Sequence, residues 1–401
     1  MPLSVIIVVL IAFAVLAWRD FKLALTLILA LLPTYLLRFE LVIPWTVLES
    51  FILIAFAFWL LGHNGLKLDL RTLDKYRAPL FFLLTMATFA TIWAPDQSNA
   101  LGIWKAYFIE PALVFVMLRT VFVTRTDWTR ALTALALTTL VIGVVAIFQK
   151  LSGLGLPIPW DIERRATSVF EYPNAVGLFV APIVAALCVL RPRLALIAVP
   201  LGLGTILLAK TEAAIVAIPV ALLVTLLVAR VPTKTKITAL IGSVIIGVTL
   251  FWSVPSVREK VLLQDYSGNV RRSQWRETIE LIKDRPLEGA GLSGYPTVFS
   301  PYHDPTLYEV FQYPHNVILN FWVEMGIFGV ITFLWISVIA CKLVWARRND
   351  TLVLAAFAAL LTMTIHGLVD VPFFKNDLAV LTVFFLAMTL APSNHPEVTK
   401  D

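Results

Sequence analysis

Apolar runs alternate with short polar segments along nearly the whole chain. They fall near 3–17, 21–37, 44–61, 78–94, 101–119, 129–151, 172–190, 193–209, 211–230, 236–254, 314–345, 350–371 and 375–391. A helix that crosses a bilayer needs about 20 apolar residues, and most of these runs approach that length. The pattern predicts an all-α polytopic membrane protein with about 12–13 transmembrane helices, the lower count applying if the short first run does not cross. One polar stretch, Pro255 to Tyr313, breaks the rhythm. The expected organisation is a transmembrane bundle over 1–254, a large loop with short amphipathic helices over 255–313, C-terminal transmembrane helices over 314–391 and a polar tail over 392–401. The first run lacks a charged leader and a small-residue cleavage site, so it reads as a retained helix.

Composition removes the soluble alternatives. Hydrophobic residues make up 59% of the 401 and charged residues only 14%, and mean hydropathy is +0.86. The net charge of +6 requires no nucleic acid, because cations collect in cytoplasmic loops and at lipid headgroups. Those cations recur in alternate loops: Arg19 and Lys22; Lys67, Arg71, Lys75 and Arg77; Arg119, Arg125 and Arg130; Arg191 and Arg193; Arg230, Lys234 and Lys236; Lys342, Arg347 and Arg348. The positive-inside rule makes these loops cytoplasmic. The long loop is then on the outer, periplasmic or extracellular, side of the cytoplasmic (inner) membrane. Two cysteines in or beside apolar runs suggest neither a disulfide framework nor a metal site.

Candidate chemistry gathers at the borders of the outer loops. His315 stands where the long loop enters the membrane, and Asn316, Asn320 and Glu324 follow on one helix face. A polar stripe in a spanning helix is costly and usually lines a cavity. In the loop, Ser267-Gly268-Asn269 offers a helix cap and Asp284-Arg285-Pro286 a helix end. Between them Val270, Trp275, Ile279 and Ile282 form an uneven apolar face opposite Arg271, Arg272, Arg276 and Glu280. That helix is expected either to lie on the membrane surface or to offer a guanidinium to phosphate. Arg164, Arg165 and Lys210 supply cations in two other outer loops, where lipid headgroup contact is the plainer alternative. His366 and Asp370, four apart, suggest a structural His–Asp hydrogen bond, or a hold on the loop or the substrate. Lys105 and Glu110 place charge within one span. No metal or cofactor signature and no phosphate-cradling glycine loop is present.

Several of these residues resemble a known family. His315-Asn316, nine residues, then Gly326-x-x-Gly329 is similar to the signature of O-antigen ligases. Arg271-x-x-x-Trp275 followed by Arg285-Pro286-Leu287-Glu288-Gly289-x-Gly291, the stretch from Arg165 through Pro173-Asn174, and His366-Gly-Leu-Val-Asp370-Val-Pro372 resemble the wider O-antigen ligase/polymerase superfamily. The resemblance implies a GT-C-like, metal-independent, inverting glycosyltransferase. Its donor would be a glycan on undecaprenyl diphosphate, and its acceptor another glycan or a lipid. It gives His315 the role of base or acceptor-orienting group, and Arg271, with Arg272 as second choice, the diphosphate. Arg165, Lys210, Glu212, Arg276, Asn316, His366 and Asp370 become substrate-binding candidates. One departure matters: where ligases often carry Ser-Arg followed by small residues at an external turn, this chain has Lys210-Thr211-Glu212-Ala213-Ala214, which weakens the assignment to lipopolysaccharide ligation and leaves polymerase or another surface-glycan transferase open. The rival class is a transporter or flippase of lipid-linked sugars, with Lys105, Glu110 and Glu324 as coupling residues.

Overall fold

A computed structural model describes residues 2–40, 44–62, 73 and 75–393. It is built from helices α1 (Leu3–Arg19), α2 (Phe21–Ala30), α3 (Val47–Leu60), α4 (Arg77–Ile92), α5 (Gln97–Ile103), α6 (Glu110–Val121), α7 (Arg125–Ser152), α8 (Pro173–Leu190), α9 (Ala195–Leu208), α10 (Glu212–Val228), α11 (Thr233–Ser253), α12 (Pro255–Val261), α13 (Tyr266–Asp284), α14 (Tyr295–Phe299), α15 (Val317–Ala346), α16 (Thr351–His366) and α17 (Asn376–Met388). Five apolar segments are long enough to cross a bilayer by length and composition: Gln97–Val121, Arg125–Ser152, Pro173–Leu190, Thr233–Ser253 and Val317–Ala346. Eight shorter apolar helices of 10–17 residues occupy the remaining predicted runs. A π-helical turn over Trp104–Ile109 joins α5 to α6. The all-α expectation has one exception, a two-stranded hairpin of β1 (Arg38–Glu40) and β2 (Pro44–Thr46).

Helix ends follow local chemistry. Thr46 with Glu49, and Thr124 with Asp127, close capping boxes on α3 and α7, each satisfying two otherwise orphaned N–H groups. Small residues let the central helices approach closely. A Cβ on Gly202 of α9 would come within 2.6 Å of Val184 of α8. Ala181, Ala185 and Ala186 of α8 and Ala355, Ala356 and Ala359 of α16 are fully buried where these two helices pack. By contrast α11 buries none of its residues and sits at the periphery.

The two ends of the bundle differ. At the end away from the 255–316 segment, Lys22 pairs with Asp127 at 2.9 Å, and Arg125 and Arg347 grip Asp350 at 2.9 and 2.7 Å. Arg230 donates its backbone N–H to the carbonyl of Arg348. Cations from loops far apart in sequence therefore share this end; Lys67 and Arg71 lie outside the described residues. The other end, called the loop end below, carries residues 255–316.

The loop is locked into the bundle by glycines. The predicted continuous span from 314 to 345 is interrupted: Gly326 has φ 66° and ψ −167° inside α15. That break frees helical N–H and C=O groups, and the loop takes them. Ile327 N–H donates to the Pro286 carbonyl at 3.0 Å, and Ala290 N–H to the Val323 carbonyl at 2.6 Å. Trp322 Nε1 also donates to the Pro286 carbonyl, at 3.0 Å. A Cβ on Gly326 would lie 1.8 Å from the Leu287 carbonyl oxygen. Glu324 accepts the Ser293 N–H at 2.9 Å, so this member of the polar stripe holds the loop.

Helix α13 also departs from expectation. Its cap is Asp265, whose carboxylate accepts the Gly268 N–H, so Ser267-Gly268-Asn269 lie in the first turn. It ends at Asp284 as read from the sequence. Its buried face is Gln274, Thr278, Leu281 and Ile282, while Ile279 is 43% exposed. Of the expected apolar face Ile282 is buried and Val270 and Trp275 partly so, and polar Gln274 and Thr278 join the buried side through hydrogen bonds to the Tyr313 carbonyl and the Tyr295 hydroxyl.

Candidate active site

His315 is held in an unusual backbone conformation. Its φ of 47° lies in the left-handed region, which non-glycine residues adopt only when neighbours compel it. Here they do. Gln274 Nε2 donates to the Tyr313 carbonyl at 3.0 Å, and Trp275 Nε1 to the Pro314 carbonyl at 2.8 Å. On the other side, Asn316 caps α15, accepting the N–H groups of Ile318 and Leu319. Asn316 Nδ2 donates to the Leu368 carbonyl at 2.9 Å, and Val317 N–H to the Gly367 carbonyl at 2.7 Å. Asn316 thus fastens the turn rather than facing an opening.

The 367–375 turn is the counterpart surface. His315 Nδ1 lies 3.7 Å from Asp370 Oδ1, an ion-pair distance longer than a hydrogen bond, and is otherwise unpartnered among the described residues. Burial pushes the Asp370 carboxyl up, but His315, His366 and the Val371 N–H beside it outweigh this and hold it down to about 2. The expected His366–Asp370 hydrogen bond is not formed. Helix α16 ends at His366, so Asp370 leaves the helical face and turns to His315. Arg271 joins the same turn, donating through Nε to the Val369 carbonyl at 3.0 Å and through Nη1 to Ser267 at 2.6 Å. The structure therefore brings together His315, Asn316, Arg271, Asp370 and, buried behind them, His366.

The other candidates fall outside this group. Arg272 is exposed and bonds Asn269 in its own helix, and Arg276 is exposed. Arg165 spends Nε and Nη2 on the Ala209 carbonyl at 3.2 Å and reaches Asn174 at 3.5 Å. Lys210 pairs with Glu163 at 3.2 Å, and Glu212 pairs with Lys260. These pairs are exposed, where such contacts contribute little. Of the cations that the sequence offered to phosphate, Lys210 is met by the Glu163 carboxylate and Arg165 by the Ala209 carbonyl.

Sequence reasoning missed Lys375. Its ammonium donates to the Tyr35 hydroxyl at 3.3 Å and lies over the Tyr172 ring at 4.3 Å. Burial lowers its pKa, while Asp377, Glu171 and Asp370 oppose that shift. Tyr172 meets Tyr313 hydroxyl to hydroxyl at 3.4 Å, so Lys375 connects to the His315 turn through two phenols. A lone lysine in a nine-residue turn gives no periodic signal. Tyr35 comes from the first quarter of the chain, and only the fold joins it to this turn.

An apolar cavity of about 210 Å³ opens beneath the turn, lined by Leu83, Phe108, Val317, Phe321, Phe333 and Phe373 among others. Val317 is two residues from His315, and Phe373 two from Lys375. The interior charges Lys105 and Glu110 lie elsewhere and are paired separately, with Glu49 and Asn376.

Residues 178–334 match the family model described as O-antigen ligase. This stretch belongs to the O-antigen ligase/polymerase superfamily. The O-antigen ligase region runs from α8 through the loop into α15, so it contains Arg271, His315 and the interlocked glycines. The match covers 157 of the 401 residues, and the apolar helices make the chain a multi-pass membrane protein. No curated protein matches it. Asp370 and Lys375, beyond the matched region, are joined to it by the contacts just described.

Proposed function

We propose that this protein transfers a glycan from an undecaprenyl-diphosphate carrier to an acceptor hydroxyl at the outer face of the cytoplasmic membrane. The observation that carries this reading is the convergence of His315, Asp370 and Arg271 on one turn above an apolar cavity. The cavity suits the isoprene units of a lipid tail nearest the diphosphate, which leaves the diphosphate at the turn. Arg271 keeps Nη2 without a protein partner among the described residues, so it has a donor to give a phosphate oxygen.

In this reading Asp370 orients His315 through Nδ1, leaving Nε2 to take the acceptor's proton. The acceptor oxygen attacks C1 of the carrier-linked sugar. The bond from C1 to the diphosphate oxygen breaks in the same displacement, inverting C1. Arg271 stabilises the negative charge that grows on the departing diphosphate. The 255–313 segment serves as the outer domain and the helices on either side as the carrier's housing. The alternating basic loops support this orientation.

The test is transfer by purified protein. An undecaprenyl-diphosphate oligosaccharide is supplied alone, then with a second acceptor. A ladder from donor alone identifies a polymerase. A single addition that requires the second acceptor identifies a ligase. Gradient-driven movement of the intact donor across vesicles, without transfer, sinks the proposal.

A further inference from the structure

We infer that Phe311 is a stacking platform for the acceptor sugar, a specificity-determining residue on the loop side of His315. The inference rests on the transferase reading above. His315 is flanked by two aromatic rings, both edge-on: Tyr313 at 5.0 Å and Phe311 at 5.1 Å between centroids. From Phe311 a file of rings runs back to Phe299, which is buried against Leu281, Ile282 and Val323. Tyr308 lies 6.0 Å off and within 16° of parallel, His303 follows at 4.6 Å, and Phe299 at 5.6 Å.

The file is fixed from behind. Glu277 of α13 accepts from the Tyr308 hydroxyl and stands 3.1 Å from His303 Nδ1, and His303 Nε2 meets the Tyr308 carbonyl at 2.8 Å. These bonds anchor Tyr308 and His303 but leave Phe311, which has no polar handle, held only through its ring contacts. It stays half-buried. Phe311 is an apolar ring left partly open beside His315. It suits the apolar C–H face of a pyranose, which places the sugar's hydroxyls in plane with the ring's rim and within reach of the imidazole.

The two sides of His315 separate the two substrates. The cavity and Lys375 lie with the bundle, and Arg271, though carried by α13 of the loop, reaches the bundle's Val369 carbonyl, where the donor's tail and diphosphate belong. Phe311 and Tyr308 lie on the loop, so the sugar they meet is the acceptor.

The experiment compares Phe311→Leu and Phe311→Tyr with wild type in the transfer assay, titrating donor and acceptor separately. The acceptor is the one wild type uses, lipopolysaccharide core oligosaccharide or a second carrier-linked repeat unit. Phe311→Leu is expected to raise the acceptor KM roughly five- to tenfold, the worth of one aromatic contact, with kcat and donor KM within about twofold. Phe311→Tyr is expected to restore the acceptor KM. An unchanged acceptor KM in Phe311→Leu, an equal rise in donor KM, or a Phe311→Tyr protein as impaired as Phe311→Leu overturns the inference while leaving the transferase reading intact. Absence of transfer by wild type to either acceptor overturns the transferase reading and this inference with it.

Discussion

The two ends of the bundle solve the problem of buried polarity in different ways. At the end away from the loop, Asp350 accepts from Arg125, Arg347 and the Leu352 N–H, and Asp127 accepts from Lys22 and the Thr124 N–H. Among the described residues, neither of these carboxylates has an atom left without a partner. At the loop end, buried atoms of His315, Gln274, Asn320, Asn376 and Asp377 have no partner among the described residues. Backbone strain divides the same way. Of the described non-glycine residues with positive φ, Arg164, Ser168, Lys210, Leu263, Ser293 and His315 lie at the loop end and Arg191 at the other. Unsatisfied polar groups and strained backbone are costly. Their concentration at one end marks where binding, rather than stability, has shaped the chain.

Substitutions can break this division, the largest effect first. Arg271→Ala is expected to lower kcat by roughly 10²–10³-fold, the scale of a lost donor at developing charge, while thermal unfolding in detergent shifts little. Equal losses of activity and stability would make Arg271 a structural strut. Next, Gly326→Ala is expected to destabilise by about 3 kcal/mol or more, because the residue sits at positive φ and its Cβ meets a backbone carbonyl. Limited proteolysis should then cut within 285–294; an uncut, equally stable variant would refute the interlock. Asp350→Ala leaves two arginines unpaired and α16 uncapped. It is expected to cost about 2–3 kcal/mol of stability with no loss of turnover per folded molecule, since it belongs to the stabilising end.

The smaller effects sharpen the comparison. The Asp370 carboxyl has a folded pKa of about 2, below its ordinary 3.8. A depressed carboxyl stabilises the fold above its unfolded pKa and loses that contribution as pH falls from about 4 to about 2. The contribution is about 2 kcal/mol. Asp370→Asn should therefore unfold more easily at neutral pH and lose the wild-type slope across that window; a slope that persists would assign it to another group. Lys22→Ala, at an exposed lysine, should cost under about 1 kcal/mol and leave transfer unchanged.

Much of this was legible in the chain. Apolar runs marked the helices, five of them long enough among the described residues to cross a bilayer, because lipid demands backbone groups that are satisfied internally. The glycines at 326 and 329 and at 289 and 291 were visible as two separate motifs. That they interlock was not, because the positive φ of Gly326 and its docking against Leu287 depend on a segment some forty residues upstream. His315 and Arg271 could be singled out by position and charge. Asp370 was paired with His366 from helical spacing, and the pairing failed where the helix ended. Arg165 and Lys210 were offered as further cations beside Arg271. The fold sets the Ala209 carbonyl and Glu163 opposite the first two, while Arg271 meets the Val369 carbonyl and Ser267 beside His315 and keeps Nη2 without a partner among the described residues.

The central claim is that the strained turn at the loop end is where transfer occurs, and one measurement tests it most directly. Wild type, His315→Ala and Arg272→Ala are purified to matching membrane levels and unfolding temperatures. Transfer from an undecaprenyl-diphosphate oligosaccharide is then followed under identical conditions. The account predicts that His315→Ala loses transfer by roughly 10²-fold or more, the scale of a removed general base, while exposed Arg272→Ala stays within about twofold of wild type. Normal transfer by a well-folded His315→Ala protein would contradict it.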